Sequence, residues 1–512
     1  DITFTLPGTY TFHVSEKVPA DADKLGGMTY SDEQYTVTVE VTDAPDGNGK
    51  LDAAITKIVN KAGAEVDGLA FTNTYKPGGT TDLPETGEGS IQLRKVLTGK
   101  AWDGDEFKFQ LTAKGATTPD GSEIADVPMP DVAGKTISDK TGTENGNDYA
   151  DFGFGPITYS QAGTYVYEVT EVPGDNAGIS YDGHTATVTV SVVDNLHGGF
   201  TATASVENGT FTNAYKSELD YQAAGGLKIA KTFENADMRE FGFTVKPADQ
   251  ASADKLGIDP AGEPLTTTPG ATVGDDNASH ATVSIGAGTD VTFTQADAGK
   301  TYTYTVQENA GSDAGVNYDG TVYTVTITTV DDGQGGIQVT TMVTDAAGNT
   351  QSYVYDNDDT TENQPAVIPF TNTYTATGEL GGNGSTSIKA TKTLTNRPMT
   401  DSEFTFNVTN AADPAGTVVA TGTNAADGTV TFGAIGYSVG QMLTDATNGL
   451  AKKSVVDGKY AFTYQYTVAE DQASFDKGVT AIAGSFGITV TVTDNGDGTL
   501  GIAVAYPDGG DG

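Results

Sequence analysis

Three short phrases recur along this chain, and their repetition limits the architectures it can adopt. A phrase of the pattern Thr-Tyr-x-aromatic-x-Val-x-Glu occurs four times, and the phrase Phe-Thr-Asn-x-Tyr occurs three times. A third phrase carries a lysine between alternating apolar residues, and it is followed each time by Glu-Phe-x-Phe. Such self-similarity indicates tandem copies of one structural unit. The glutamate phrase lies at 9–16, 164–171, 301–308 and 463–470, the asparagine phrase at 71–75, 211–215 and 370–374, and the lysine phrase at 91–97, 227–233 and 388–394.

The order of the phrases predicts four domains. A full unit runs from the lysine phrase through Glu-Phe-x-Phe, the glutamate phrase and a long alternating run to the asparagine phrase. We predict complete units at 77–216 and 217–375. The segment 1–76 lacks the lysine strand and the segment 376–512 lacks the asparagine strand, so we predict a partial sandwich for each.

The alternation of Val and Thr in these units is typical of β-strands. The predicted fold class is all-β, with tandem immunoglobulin-like β-sandwich domains in an elongated array, two complete and two truncated. Helical periodicity is nearly absent, and one short helix is predicted at 446–454. The Gly/Pro/Thr stretches 76–90 and 376–387 are predicted to be linkers.

Composition excludes several classes of function. The 512 residues include 69 acidic and 27 basic side chains, which gives a net charge of −42. Such an anion repels phosphate backbones, so no nucleic-acid partner is expected. No apolar run approaches the length of a membrane helix, and no membrane insertion is expected in this segment. Cysteine is absent, which removes disulfides, thiolate metal sites and cysteine nucleophiles.

Each unit directs polar side chains along a face that is otherwise apolar. Side chains alternate between the two faces of a strand, so Lys95 shares a face with Leu93, and Glu171 shares a face with Val169. The lysine and glutamate are separated by 76, 77 and 78 residues in three units, while the loops after the glutamate differ in length. This persistence indicates residues that act together in space. The sets are Lys95, Glu171 and Asn213; Lys231, Glu308 and Asn372; Glu16 and Asn73; and Lys392 and Glu470.

Two interpretations of these residues remain open at this point. Burying an isolated charge costs several kcal/mol, so burial favours a neutral amine and a neutral carboxylic acid. A neutral amine is a nucleophile, and a protonated glutamic acid can donate a hydrogen bond to the carboxamide oxygen and then move protons to departing ammonia. The product is a Lys–Asn isopeptide bond. The alternative is a buried Lys–Glu ion pair with an asparagine hydrogen-bonded beside it.

The residues resemble a known family. The series Lys95, EFKF, TYVYEVTE, YDG and FTNAY, together with its copies, is similar to the isopeptide linkage domains of Gram-positive pilins, of the streptococcal major pilin type with a T-antigen-like backbone. The resemblance covers essentially the whole chain. It implies an immunoglobulin-like sandwich with a spontaneous Lys–Asn bond between its first and last strands, assisted by a glutamate.

Carried onto this sequence, the resemblance implies two bonds. Lys95 would join Asn213 with assistance from Glu171. Lys231 would join Asn372 with assistance from Glu308. In the two partial units Glu16 and Glu470 would have the same role, but Asn73 lacks a lysine partner and Lys392 lacks an asparagine partner.

Other motifs receive simpler interpretations. The sequence LPETG at 83–87 matches a sortase sorting pattern, but a new domain follows it, so we interpret it as a linker. The stretches 46–50 and 494–499 partly resemble calcium loops, but they lack the downstream bidentate Glu and are interpreted as hairpin turns. Trp102 is interpreted as a packing or turn residue. No metal or cofactor site is expected from the scattered histidines, which are His13, His184, His197 and His280.

The sequence therefore predicts a structural protein of a Gram-positive cell surface, either a pilus backbone or the stalk of a fibrillar adhesin, and not an enzyme. Its expected location is extracellular, on the cell wall or pilus, and its expected partners are other surface or pilus subunits joined through sortase. The alternative is an adhesin module that binds host glycan or matrix protein through variable loops, such as 112–150 and 247–279.

Overall fold

A computed structural model of the chain confirms the all-β fold class with tandem domains. It forms two compact units, 1–216 and 217–512. We refer to the segments 1–76, 77–216, 217–375 and 376–512 as repeats 1 to 4. The structure describes residues 1–286, 288, 290–356, 364–381, 386–476, 478–480 and 484–507.

Repeat 1 consists of a three-stranded antiparallel sheet and a pair of short strands. Its strands are β1 (Gly8–Ser15), β2 (Met28–Thr29), β3 (Gln34–Asp43), β4 (Leu51–Val59) and β5 (Thr74–Tyr75), with a 3₁₀ turn at Asp21–Asp23. The strand β3 lies between β1 and β4, and β2 pairs with β5. Its small core contains the inward residues of β3, namely Tyr35, Val37, Val39 and Val41.

Repeat 2 is a sandwich of two five-stranded sheets. Its strands are β6 (Thr81–Leu83), β7 (Leu93–Thr98), β8 (Phe107–Thr117), β9 (Gly134–Ile137), β10 (Gly142–Glu144), β11 (Asn147–Phe152), β12 (Ile157–Tyr159), β13 (Gly163–Val172), β14 (Ile179–Ser180), β15 (Thr185–Asp194), β16 (Phe200–Glu207) and β17 (Thr210–Tyr215). One sheet has the order β10-β11-β7-β17-β14, and the other has the order β16-β15-β13-β8-β9. The lysine strand β7 and the asparagine strand β17 are parallel neighbours.

Repeat 3 has the same central arrangement. Its elements are β18 (Glu218–Asp220), β19 (Leu227–Glu234), β20 (Gly242–Pro247), α1 (Gln250–Leu256), β21 (Glu263–Thr266), β22 (Ala278–Ile285), β23 (Thr292–Thr294), a 3₁₀ turn (Gln295–Asp297), β24 (Thr301–Glu308), β25 (Val316–Asn317), β26 (Val322–Asp331), β27 (Ile337–Thr344), β28 (Thr350–Tyr355) and β29 (Ala366–Tyr374). The sheets have the orders β22-β19-β29-β25 and β21-β20-β24-β26-β27-β28. The lysine strand β19 and the asparagine strand β29 are again parallel neighbours.

Repeat 4 is built around one large sheet. Its elements are β30 (Thr377–Leu380), β31 (Ala390–Thr391), β32 (Thr405–Asn410), β33 (Val418–Asn424), β34 (Thr429–Phe432), β35 (Ile435–Ser438), α2 (Val439–Thr447), β36 (Lys452–Val456), β37 (Lys459–Glu470), a 3₁₀ turn (Gln472–Ser474), β38 (Ser485–Asp494) and β39 (Leu500–Ala505). Most of these strands follow the order β31-β34-β33-β32-β37-β38-β39, and β36 also pairs with β37.

Three of the local predictions were wrong. Only residues 446 and 447 of the helix predicted at 446–454 are helical, as the end of α2, and residues 452–454 lie in β36. The helix begins earlier, where Ser438 caps its first turn by accepting from the Gln441 N–H. The predicted linkers contain β6, paired with β12, and β30, paired with β35; residues 382–385 of the second linker lie outside the described residues. The predicted loops 112–150 and 247–279 contain β9 to β11, and α1 with β21. Polar Thr, Lys and Gly residues in these short strands hid the period-two pattern.

Candidate functional site

The trio of repeat 2 lies between the two sheets of the sandwich. Lys95 is on β7, where buried and half-buried residues alternate, and its side chain points inward. Asn213 is on the parallel neighbour β17 and also points inward. Glu171 extends from the opposite sheet, on β13, where it is paired with Phe109 of β8. The sandwich therefore brings together three side chains from two sheets.

Glu171 binds both other members of the trio. The Lys95 Nζ donates to its Oε2 at 2.8 Å, and the Asn213 Nδ2 donates to its Oε1 at 2.7 Å. The side chains of Lys95 and Glu171 have no exposed surface, and Asn213 is also fully buried. One carboxylate thus holds an amine and a carboxamide side by side in a dry core.

Repeat 3 reproduces this geometry. The Lys231 Nζ donates to Glu308 Oε2 at 2.9 Å, and the Asn372 Nδ2 donates to Glu308 Oε1 at 2.7 Å. The side chains of Lys231 and Glu308 are fully buried, as is Asn372. Two sandwiches with different loops have the same arrangement of polar atoms.

Burial changes the acid–base behaviour of the two lysines. Desolvation lowers the pKa of Lys95 to about 8, and the hydrogen bond and charge of Glu171 oppose this shift. Desolvation likewise lowers the pKa of Lys231, against the effect of Glu308. Each ammonium lies above the first ring of the Glu-Phe-x-Phe phrase, 4.8 Å from the Phe107 centroid and 4.9 Å from that of Phe241. The surroundings favour a neutral amine more than water does.

A backbone donor at the asparagine was not predicted from the sequence. The Asp182 N–H donates to Asn213 Oδ1 at 2.8 Å, and the Asp319 N–H donates to Asn372 Oδ1 at 2.7 Å. Each aspartate also accepts, through its carboxylate, from a backbone N–H of the asparagine strand. The sequence signal that marks this donor is the repeated Tyr-Asp-Gly before the long strand, at 181–183 and 318–320.

This donor corrects the expected hydrogen bonding of the carboxamide. We expected the glutamic acid to donate to the asparagine oxygen, whereas Glu171 binds the asparagine nitrogen and the backbone binds the oxygen. A fixed N–H at the carbonyl oxygen stabilises negative charge that develops there during attack on the carbon. The carboxylate lies instead within hydrogen-bond distance of the amine and of the carboxamide nitrogen, so it can exchange protons with both.

Repeat 1 contains two of the three residues in the same relation. The Asn73 Nδ2 donates to Glu16 Oε1 at 2.7 Å, and the Ser31 N–H donates to Asn73 Oδ1 at 2.7 Å. Asn73 is exposed and Glu16 is half-buried. No lysine forms an ion pair with Glu16 among the described residues of the chain.

Repeat 4 contains the other pair. Lys392 and Glu470 form an ion pair, and the Lys392 Nζ lies 4.3 Å from the Phe404 centroid. The exposed fractions of the Lys392 and Glu470 side chains are 15% and 13%, whereas those of the lysines and glutamates in repeats 2 and 3 are zero. The strand β31, which ends just before Lys392, pairs with β34.

The remaining motifs have structural roles. Trp102 is buried and its ring lies 4.7 Å from that of Phe107, so it packs over the lysine site. Leu83 of the LPETG sequence is fully buried at the end of β6. The His184 ring stacks on Phe211 and hydrogen-bonds Asp182. Within the described residues there is no group of three His, Cys, Asp or Glu side chains that could hold a metal ion, and no helix is long and apolar enough to cross a membrane.

Fold and site together define a tandem β-sandwich protein with buried Lys, Glu and Asn side chains between the sheets. The family model FctA, the Spy0128-like isopeptide containing domain, matches residues 1–76, 91–216, 227–375 and 388–512. The chain therefore belongs to this family.

Comparison with solved structures finds major pilins of Streptococcus pyogenes. The major pilin is 17% identical, with 56% of this chain and 99% of that chain covered and a TM-score of 0.24. The T-13 pilin is 16% identical, with 56% and 99% covered and a TM-score of 0.19. The T3.2 pilin is 17% identical, with 56% and 98% covered and a TM-score of 0.20. No curated protein sequence matches the chain.

Proposed function

We propose that this chain is a structural component of a bacterial surface pilus, and that repeats 2 and 3 form Lys95–Asn213 and Lys231–Asn372 isopeptide bonds without an enzyme. The observation that carries the proposal is the buried trio, in which one carboxylate contacts both the amine and the carboxamide in each repeat. Membership of an isopeptide-domain family supports it.

The reaction follows from the positions of the atoms. The Lys95 ammonium gives a proton to Glu171 along their 2.8 Å hydrogen bond, and the neutral Nζ attacks Asn213 Cγ. The Asp182 N–H stabilises the negative charge on Oδ1. Glu171 then gives the proton from Lys95 to Nδ2 and takes up the second proton that Nζ loses after the attack; the Cγ–Nδ2 bond breaks, ammonia leaves, and the Nζ–Cγ amide remains beside a protonated Glu171. Prior contact supplies the effective concentration that amide formation lacks in water.

The bond has a mechanical consequence. The lysine and asparagine strands are parallel neighbours, so tension applied across the repeat passes through the covalent link and does not unpair the strands. The link also closes a loop of more than a hundred residues, which on the chain-entropy estimate stabilises the repeat by roughly 4 to 5 kcal/mol. A crosslink that reductants do not break suits a chain without cysteine.

We further propose an extracellular location on a Gram-positive cell wall or pilus, with other pilus subunits, joined through sortase, as partners. Each bond forms once, so the chemistry is self-modification and not turnover. The alternative remains an adhesin module that binds host glycan or matrix protein through variable loops; the stretches 112–150 and 247–279 that would supply them also contain short strands.

Intact mass spectrometry of the denatured full chain tests the proposal. We expect a mass lower than that of the sequence by one ammonia for each bond, two in total. Asn213→Ala should remove one of these losses, and Asn372→Ala the other. Asn73→Ala is the matched control and should keep both. A mass equal to that of the sequence would contradict the proposal and favour the buried ion pair.

A further inference from the structure

The last residue of the asparagine phrase is a tyrosine that reaches the following repeat. In the unit 217–512, the Tyr374 hydroxyl donates to Asp494 Oδ1 at 2.7 Å and accepts from the Gly498 N–H at 3.2 Å. Asp494 ends β38, and Gly498 lies in the turn that leads to β39. Tyr374 is fully buried, and this burial, with the hydrogen bond to Asp494, raises its pKa to about 12.

The unit 1–216 contains the same contacts between repeats 1 and 2. The Tyr75 hydroxyl donates to Asp194 Oδ1 at 2.7 Å and accepts from the Gly198 N–H at 3.1 Å. Asp194 ends β15, as Asp494 ends β38, and in both cases the glycine follows the aspartate by four residues. The same two-bond pattern therefore occurs at two separate boundaries.

Close backbone packing surrounds each tyrosine. In repeat 3 the Gly315 carbonyl accepts from the N–H of Thr375, the residue after Tyr374, at 2.8 Å. In repeat 1 the Gly27 carbonyl accepts from the N–H of Lys76, the residue after Tyr75, at 2.9 Å. A Cβ on Gly315 would lie 2.6 Å from the Thr375 carbonyl oxygen, and one on Gly198 would lie 2.2 Å from the carbonyl carbon of Gly26. Gly198 and Gly498 also have φ values of +92° and +84°. Glycine is required here both for space and for conformation.

The tyrosine lies next to the proposed crosslink. Tyr374 follows Asn372 by two residues on β29, so both point to the same side of the strand. The sequence spacing of the receiving turn also recurs at Asp43 with Gly47 and at Asp331 with Gly335, and both glycines have positive φ. The Asp-x-x-x-Gly turn thus occurs in all four repeats and is separate from the Lys–Glu–Asn trio.

We propose that the Asp-x-x-x-Gly turns of repeats 2 and 4 are docking surfaces whose partners are the terminal tyrosines of repeats 1 and 3, respectively. The tyrosine and the turn form a joint that fixes the orientation of neighbouring repeats and passes tension from the asparagine strand of one repeat into the long strand of the next. The two hydrogen bonds and the glycine contacts give the joint its specificity. It does not depend on whether the isopeptide bonds form.

Spin-label distance measurements on the full chain test the joint. The absence of native cysteine allows labels at Gln338→Cys in repeat 3 and Lys452→Cys in repeat 4, both exposed positions. We expect a narrow distance distribution in the parent, and a broad one in Tyr374→Phe and in Asp494→Ala. Tyr355→Phe is the matched control, because it removes another buried hydroxyl of repeat 3, bonded to the Gly226 carbonyl, and should leave the distribution narrow.

A second measurement distinguishes loss of the joint from loss of fold. Amide hydrogen exchange should accelerate at Gly498 by about three- to tenfold in Tyr374→Phe, the loss expected for one net hydrogen bond. Amides in the centre of β27 should keep their parent rates in the same variant. A narrow distribution in Tyr374→Phe with an unchanged Gly498 rate would overturn the proposal, as would an equal broadening in Tyr355→Phe.

Discussion

Repeats 1 and 2 place the same glutamate–asparagine contact in two different surroundings. The asparagine nitrogen donates to a glutamate oxygen at 2.7 Å in both, and a backbone N–H donates to the asparagine oxygen in both. Asn73 is nevertheless exposed, whereas Asn213 is fully buried. The glutamate–asparagine contact therefore forms without a lysine strand beside it, whereas the asparagine is fully buried in the repeat where the lysine strand is its parallel neighbour.

Repeat 4 extends the comparison to the lysine. Lys231 lies on a strand with neighbours on both sides, and its side chain is fully buried. Lys392 follows a strand paired with β34, and its side chain retains 15% exposure. Dry surroundings, which favour a neutral amine, are thus found where the lysine strand has the asparagine strand beside it.

The largest effect is expected when the glutamate is removed from the buried trio. Glu171→Ala should prevent the Lys95–Asn213 bond and leave a buried amine without its partner, which costs about 3 to 5 kcal/mol for an ion pair of this kind in addition to the lost crosslink. Calorimetry of the full chain should show a large fall in the stability of repeat 2. Glu16→Ala should lower the stability of repeat 1 only slightly. Equal losses of stability in Glu171→Ala and Glu16→Ala would contradict the proposed difference between the buried and the exposed site.

Removing the asparagine isolates the contribution of the bond. Asn213→Ala should lower the free energy of unfolding of repeat 2 by roughly 4 to 5 kcal/mol, the chain-entropy value for such a loop. Asn73→Ala should change repeat 1 by about 1 kcal/mol, because it loses only hydrogen bonds at an exposed site. Denaturant titration measures both. A loss in Asn213→Ala no larger than that in Asn73→Ala would mean that no covalent link had formed.

The lysine should titrate only where it is not crosslinked. In Asn213→Ala the folded-state pKa of Lys95 is about 8, below the ordinary 10.5, so the folded chain releases its proton first. Stability should therefore rise between pH 8 and 10.5, by at most about 1.4 kcal/mol per pH unit, and flatten on either side. In the parent, where the nitrogen would be an amide, this rise should be absent. If the stabilities of the parent and of Asn213→Ala change in parallel from pH 8 to 10.5, Lys95 is not an amide in one protein and a free amine in the other.

The smallest effect is expected at the residue that supports the backbone donor. Asp182→Ala keeps the N–H at Asn213 but removes the carboxylate that accepts from Thr212 N at 2.7 Å. We expect a loss of about 1 to 2 kcal/mol and slower appearance of the ammonia loss after refolding, followed by timed mass spectrometry. Asp151→Ala, which removes an exposed ion pair with Arg94, is the control and should leave the rate unchanged. Equal rates of ammonia loss in Asp182→Ala and Asp151→Ala would mean that the Asp182 carboxylate does not position the site.

Much of the fold could be predicted from short-range patterns in the sequence. The alternation around Lys95 and Glu171 predicted which face of each strand is inward, because side-chain direction has a period of two residues. The repeated phrases predicted tandem all-β units. The short strands β6 and β30 were missed, since their pairing partners β12 and β35 lie far along the chain and the segments themselves look like linkers.

The sequence by itself determined the composition of each trio and the inward direction of its members, because both depend on neighbouring residues along a strand. Only the tertiary structure decided that the lysine and asparagine strands are parallel neighbours, that the Asp182 N–H faces the Asn213 oxygen, and that Tyr374 reaches Asp494 in the next repeat. These contacts join residues separated by long stretches of chain. Their geometry depends on how sheets pack and pair, which no local period encodes.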